Sequence, residues 1–213
     1  MIVFDKLFST MTKPIVLLSF VVLLILSFFY VDKPIAYDLR NLNLKHMGPL
    51  LNRITHIGMG GVYLVPLFLL ALFFRVIYHN KTYEIRSWFL WGSVLIPSLM
   101  CLGLKMLLGR ARPDLLFDQH LYGFYGFKTQ AIYWSFPSGH ATTVMGFVFG
   151  MWALFPRFWY AFLVPGLIVV SSRVLLTQHY LSDVLAASYL SLLGVGLVLW
   201  CFRRNHLLLK RAF

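Results

Sequence analysis

The sequence predicts an all-α, polytopic membrane protein with six transmembrane helices and an interfacial helix or loop segment between helices one and two. Two observations lead there. Hydrophobic residues make up 60% and charged residues only 12% of the 213 positions, whereas a soluble domain is about a quarter charged. Six stretches also lack Asp, Glu, Lys and Arg altogether: 14–30, 54–74, 87–104, 140–156, 158–172 and 184–202. Each is close to the length that spans the hydrocarbon as a helix, about 20 residues with a range of about 17 to 25. Together with their connections they form one membrane-embedded domain, residues 1–213.

The first stretch has a basic start like a signal peptide, but it is longer than an ordinary h-region and "FFYVDKP" offers no small-x-small cleavage site, so it reads as a retained helix. Residues 31–53 alternate apolar and polar side chains loosely, as an interfacial helix does, with Gly48-Pro49 as a break. The second and third stretches follow, then a loop over 105–139 rich in Phe117, Tyr122, Phe124, Tyr125, Phe127, Tyr133 and Trp134. Rings at this density favour the headgroup layer. Only Pro156 and Arg157 separate the fourth and fifth stretches, which could form one re-entrant feature. Two crossings is the better reading, because a single helix would have to absorb Pro156 and Pro165 in its interior. The sixth stretch closes the chain, which has no internal repeat and no low-complexity tail.

A net charge of +12 raises the question of nucleic acid, but the cations are spread between apolar runs and form neither a long basic tract nor a recognisable binding module. They suit the flanks of membrane helices. With a cytoplasmic N-terminus, Lys6, Lys13, Arg75, Lys81, Arg86, Arg157, Arg203, Arg204, Lys210 and Arg211 lie inside and the other nine outside. Cys101 and Cys201 both fall within apolar runs and read as packing residues.

Three polar clusters interrupt the apolar pattern: "KMLLGRARP" over 105–113, "FPSGHATT" over 136–143 and "SRVLLTQHYLSD" over 172–183. Singly, each has an ordinary explanation, as a snorkelling helix end, a helix start and a structural ion pair. Their conjunction says more. The first two share one loop, and two crossings separate the second from the third, so a topology drawn from apolar runs alone brings all three to one membrane face.

Those stretches carry Lys105-x6-Arg112-Pro113, Pro137-Ser138-Gly139-His140 and Ser172-Arg173-x5-His179-x3-Asp183. In order and spacing they resemble the signatures of the type 2 phosphatidic acid phosphatase superfamily, which also includes soluble acid phosphatases and vanadium haloperoxidases. Among bacterial members the chain looks like the small lipid A phosphatases and phosphatidylglycerophosphate phosphatases, through "YGFYGF" ahead of "SFPSGHATT".

The resemblance implies roles that each side chain's chemistry can support. Lys105, Arg112 and Arg173 would surround the equatorial oxygens of a transferring phosphoryl group with positive charge. Ser138 and Gly139 precede an apolar run, so their amides can lie at a helix N-terminus, with the Ser138 hydroxyl as a further donor. His179 and Asp183 are four apart and share a face if the sixth helix has begun by there. Asp183 would then fix one ring nitrogen while the other attacks phosphorus, giving a phosphohistidine. His140 would protonate the leaving alkoxide and then activate water. No metal or other cofactor is expected, since the set holds too few carboxylates for a two-metal site.

With the three phosphate-facing cations set aside, ten inside face six outside, which favours cytoplasmic termini and an active site on the periplasmic face of a bacterial inner membrane. Arg110, His120 and Lys128 belong to no signature and are expected as headgroup contacts. The implied partners are a lipid phosphate substrate and membrane lipids, with no nucleic acid and no obligatory protein. The implied activity is hydrolysis of a phosphate monoester or pyrophosphate on a lipid headgroup. A lipid phosphotransferase using the same phosphohistidine, and a non-catalytic lipid-binding protein, are the alternatives.

Overall fold

The computed structural model describes residues 3–42, 48–205 and 207. Lys45, Lys210 and Arg211, which enter the charge comparison, and residues 43–47 of the expected interfacial segment lie outside the described residues. The described residues are mostly helical, with one isolated antiparallel bridge between Arg110 and Phe124. In order come α1 (Val3–Met11), α2 (Pro14–Leu26), α3 (Asp32–Asn41), α4 (Gly48–His56), α5 (Gly60–Val76), α6 (Lys81–Leu108), α7 (Pro113–Gln119), α8 (Gly139–Leu154), α9 (Trp159–Leu175) and α10 (Leu181–Arg204).

Among these residues five helical runs are long and apolar enough to cross a membrane: 14–41, 49–76, 81–108, 156–175 and 181–204. The expected fourth crossing is α8, shorter at 16 residues and mostly enclosed by its neighbours. Its length reflects its place. α6, α9 and α10 all pack on it, and their core is built from Val94, Val144, Val148, Val170, Leu192 and Val195. Two glycines permit the closest approach. A Cβ on Gly146 would come 2.5 Å from Ser93 O, and one on Gly150 would come 2.9 Å from Ser93 Cβ, so α8 lies against α6 almost backbone to backbone. Pro156 opens a 3-10 turn and α9 returns against α8. Pro165 sits inside α9 after all.

Several boundaries depart from the charge-free stretches. α6 starts six residues before Ser87, because Asn80 caps it by accepting from the amides of Thr82 and Tyr83 at 3.1 Å. The first apolar run does not stop at Tyr30 but continues through a π-helical turn, Ser27–Val31, into α3. Such a turn shifts the side chains that follow round the helix axis, and it delivers Asp32 to the interior. The second run, 54–74, is broken: its first residues belong to α4, which begins at Gly48, and regular helix lapses at 57–59 before α5. At the other end of the molecule α1 docks on α8 and α10, where Asp5 pairs with Arg203 at 2.7 Å.

Candidate active site

Four elements end at one place. Lys105 lies in the last turn of α6, Arg112 caps α7, Ser138 caps α8 and Arg173 lies in the last turn of α9. Gly109 makes the first junction possible. It leaves α6 in the left-handed conformation, φ 54°, with the chain folded so tightly that a Cβ would fall 2.0 Å from Gly126 O. Ala111 and Arg112 then pair through backbone hydrogen bonds with Gly123 and Ile132, which holds Arg112 over the start of α8.

Lys105, Arg112 and Arg173 share one electrostatic neighbourhood with His140 and His179. Among the described residues each cation's side chain makes at most one hydrogen bond to the protein. Lys105 Nζ donates to Trp134 O at 2.6 Å, and Arg173 Nη1 donates to Thr55 Oγ1 at 2.6 Å. Among the described residues Arg112 Nε, Arg173 Nε, Ser138 Oγ and His179 Nδ1 are buried and have no hydrogen-bond partner in the protein. Buried polar atoms are almost always paired, and the orphans on Arg112, Arg173 and Ser138, gathered with the Lys105 ammonium, mark a site shaped for an oxygen-rich anion. Burial pushes the Arg112 guanidinium down, with Asp114 and Asp183 opposing.

The expected anion contacts need one correction. Ser138 N–H is spent on Asp183 O at 3.2 Å, so its hydroxyl, not its amide, faces the site. The first-turn amides that follow, Gly139 and His140, have no intrahelical acceptor. The turn at Gly58 covers His140: a Cβ there would lie 2.9 Å from His140 Cβ and Cδ2.

His179 does not lie on α10. It precedes it by two residues, in a turn held by His179 N–H donating to Arg173 O and by Thr177 at φ 52°. Asp183 is in the first turn and caps the helix by accepting from Tyr180 N–H at 2.9 Å. The turn still brings His179 Nδ1 to 3.5 Å from Asp183 Oδ2, a facing contact rather than a formed hydrogen bond. Burial holds the imidazole well below its usual value, at about 3, against the pull of Asp183. Its ring is therefore neutral at pH 7.

Arg110 is not a headgroup contact. It is 0% exposed, with Nη1 donating to Asp183 Oδ1 at 2.5 Å and Ser182 Oγ at 2.7 Å, and Nη2 donating to Asp32 Oδ2 at 2.8 Å and Tyr122 OH at 3.1 Å. Phe28, Tyr122, Phe124 and Tyr180 surround it with ring faces or edges at 4.4 to 5.5 Å. Burial lowers its guanidinium's basicity, but Asp183 and Asp32 more than restore it. Part of the aromatic loop thus packs inward. His120 is exposed at the end of α7, and Lys128 lies over the Tyr133 ring at 5.4 Å. Among the described residues no hydrogen bond or ion pair joins either to Lys105, Arg112 or Arg173.

Sequence reasoning missed Asp32, Thr55, Ser135 and Ser182. Ser135 Oγ donates to Asp183 Oδ2 at 2.5 Å, and Asp32 accepts from Ser182 N–H at 3.0 Å. Asp32 had one visible signal, an acid placed directly after an 18-residue charge-free run, 14–31. Beside Lys105, Gly139 and His140 opens a cavity of about 330 Å³ between the Gly58–Gly60 turn, α6 and α8, lined also by Cys101, Leu102 and Thr143.

Comparison with known proteins meets this geometry. The family model "PAP2 superfamily" matches residues 86–207, which include all three polar clusters. A lipid A 1-phosphatase of Rhizobium johnstonii is 33% identical over 174 residues, 76% of this chain and 69% of that protein. A lipid A 1-phosphatase of Rhizobium etli is 40% identical over 103 residues, 47% of this chain and 44% of that protein. The crystal structure of a transmembrane PAP2-type phosphatidylglycerolphosphate phosphatase from Bacillus subtilis superposes with a TM-score of 0.54 at 17% identity, over 99% of this chain and 95% of that one, a likeness of fold. Matched over more than half its length, and with its motif residues gathered about one buried imidazole, the chain belongs to the PAP2 superfamily.

Proposed function

We propose that this protein is a lipid phosphatase that removes a phosphate, as a monoester or from a pyrophosphate, from a lipid headgroup at the periplasmic face of the inner membrane. One observation carries the reading: Lys105, Arg112 and Arg173, with the unpartnered Ser138 hydroxyl, converge on a neutral, buried His179 backed by Asp183. The three cations and the α8 amides take the phosphoryl oxygens. Arg grips two oxygens in a plane where Lys supplies a point charge. His179 Nε2 attacks phosphorus in line, forming an N–P bond as the P–O bond to the lipid breaks. His140 gives its proton to the leaving oxygen, then takes one from the water that cleaves the phosphohistidine. Positive charge comes from side chains throughout, so the cycle needs no metal.

A lipid substrate is supported by the membrane-length helices and by the cavity beside Lys105 and His140, whose walls are mostly apolar. The relatives' activity on lipid A makes a phosphorylated glycolipid the first substrate to try. In this reading α8 completes six crossings, α3 and α4 lie near the outer interface and both termini are cytoplasmic. The test is purified protein in detergent, offered lipid A, phosphatidylglycerophosphate, phosphatidic acid and a polyprenyl pyrophosphate in the presence of a chelator. Release of inorganic phosphate from at least one is expected, and release from none while the protein stays folded would contradict the proposal.

A further inference from the structure

Asp183 needs only one cation to satisfy it, yet the structure surrounds it with a second carboxylate as well. Arg110 bridges the two, one nitrogen on Asp183 Oδ1 and the other on Asp32 Oδ2. Asp32 arrives from α3, at the end of the π-helical turn, and is 1% exposed. It also accepts from Ser27 Oγ at 3.1 Å and from both the amide and the hydroxyl of Ser182, the residue before Asp183. A buried ion pair is a poor way to gain stability, because desolvation offsets the attraction and apolar residues of like volume often do as well. An arrangement that buries three charges therefore calls for another explanation.

Charge supplies it. Two carboxylates and one guanidinium leave one net negative charge. Arg110 alone would neutralise Asp183, and Asp32 draws part of that positive charge away. Asp183 Oδ1 is held by Arg110, while Oδ2, held by Ser135 and the Tyr180 amide, is turned to the imidazole. The other charges facing that ring are cationic, Lys105 and Arg112, and would disfavour the positive charge that His179 gains on phosphorylation.

We infer that Asp32 and Arg110 are a positioning pair that orients Asp183 and leaves one net negative charge against His179, so that the phosphorylated ring is stabilised where every other charge opposes it. Neither residue touches substrate. The inference rests on His179 being the nucleophile, as proposed above.

The charge count makes a test that a merely structural role would fail. Arg110→Gln leaves two buried carboxylates uncompensated, and Asp32→Asn with Arg110→Gln returns the net charge to one negative. The single Arg110→Gln variant should lose at least about 100-fold in kcat with KM little changed, and its acidic limb should move toward neutral pH, because added negative charge raises the pH at which the His179–Asp183 pair takes up a proton. The double variant should be at least about tenfold faster than Arg110→Gln and regain the original limb. Asp32→Asn alone, nearly isosteric, should lose about tenfold in kcat at constant KM. A double variant no faster than Arg110→Gln in folded protein would overturn the inference. Should Arg110→Gln fail to fold, wild-type kcat in Asp32→Asn would overturn it equally. His179→Ala serves as the separate control: activity in that variant would sink the nucleophile assignment, whereas an inactive His179→Ala with additive losses at Asp32 and Arg110 would sink the positioning pair alone.

Discussion

Arg173 Nη1 and Thr55 Oγ1 lie 2.6 Å apart and join α9 to α4 across 118 positions of sequence. Both side chains are buried, and Thr55 is the hydrogen-bond partner that steers the guanidinium, whose Nε remains for a phosphoryl oxygen. Hydrogen bonds to a charged group are worth about 1.5 to 3 kcal/mol. Thr55→Val should therefore lower kcat/KM by about tenfold with a small change in thermal stability, measured as phosphate release beside a melting curve. An unchanged kcat/KM would show that Arg173 is positioned without it.

The contact of Gly58 with His140 is steric. A methyl group there would sit 2.9 Å from two His140 side-chain atoms, and the nearby backbone oxygen of Thr55, at 3.1 Å, limits its retreat. Gly58→Ala should displace His140, the proposed general acid, and reduce kcat by about tenfold or more, since small misplacements of reacting groups are costly. Substrates with a good leaving group, such as an aryl phosphate, should lose less, because they need little protonation. Equal losses on both substrates would count against His140 as the acid.

Gly109 has a different importance. Its φ of 54° and the 2.0 Å approach of Gly126 O leave no space for a side chain. Gly109→Ala should destabilise the fold by about 2 kcal/mol or more, seen as a lower melting temperature in detergent, with Arg110 and Arg112 carried out of place together.

The His179 imidazole sits at about 3, displaced downward by burial from its ordinary 6.5. Between those values the unfolded chain binds the proton more readily than the folded one. The contribution of this group to stability is therefore complete above about pH 6.5 and is lost as pH falls toward 3. The melting temperature should drop between pH 7 and pH 5, and His179→Gln should drop less. Equal drops would mean that other groups govern the acid response.

The apolar runs made the membrane helices legible, and the three polar clusters made most of the site legible, because both depend on residue types repeated at fixed local spacing. Lys105, Arg112, His140, Arg173, His179 and Asp183 lie in one electrostatic neighbourhood, although His179 reaches it from a turn ahead of α10 and not from the helix face that its spacing from Asp183 suggested. The π-helical turn at Ser27–Val31 was not legible, since nothing in "SFFYV" sets it apart from ordinary helix. That turn places Asp32 against Ser182, 150 positions away. Arg110 looked like a surface cation because its partners come from α3 and α10, and pairing at such separation leaves no periodic trace. Thr55 was hidden for the same reason, inside a run that reads as uninterrupted helix until Gly58 folds it over His140. Ser138 lies at the N-terminus of α8, without a side-chain capping bond, but its amide is taken by Asp183 O from the other end of the motif region.

In the proposed cycle His179 takes the phosphoryl group. Purified protein mixed with a lipid substrate carrying a labelled phosphate, quenched within milliseconds in base and digested, tests it directly. An acid-labile, base-stable label is expected on the peptide that contains residue 179, present in His140→Ala, where hydrolysis is slowed, and absent in His179→Ala. A label on any other residue, or full turnover by His179→Ala, would contradict it.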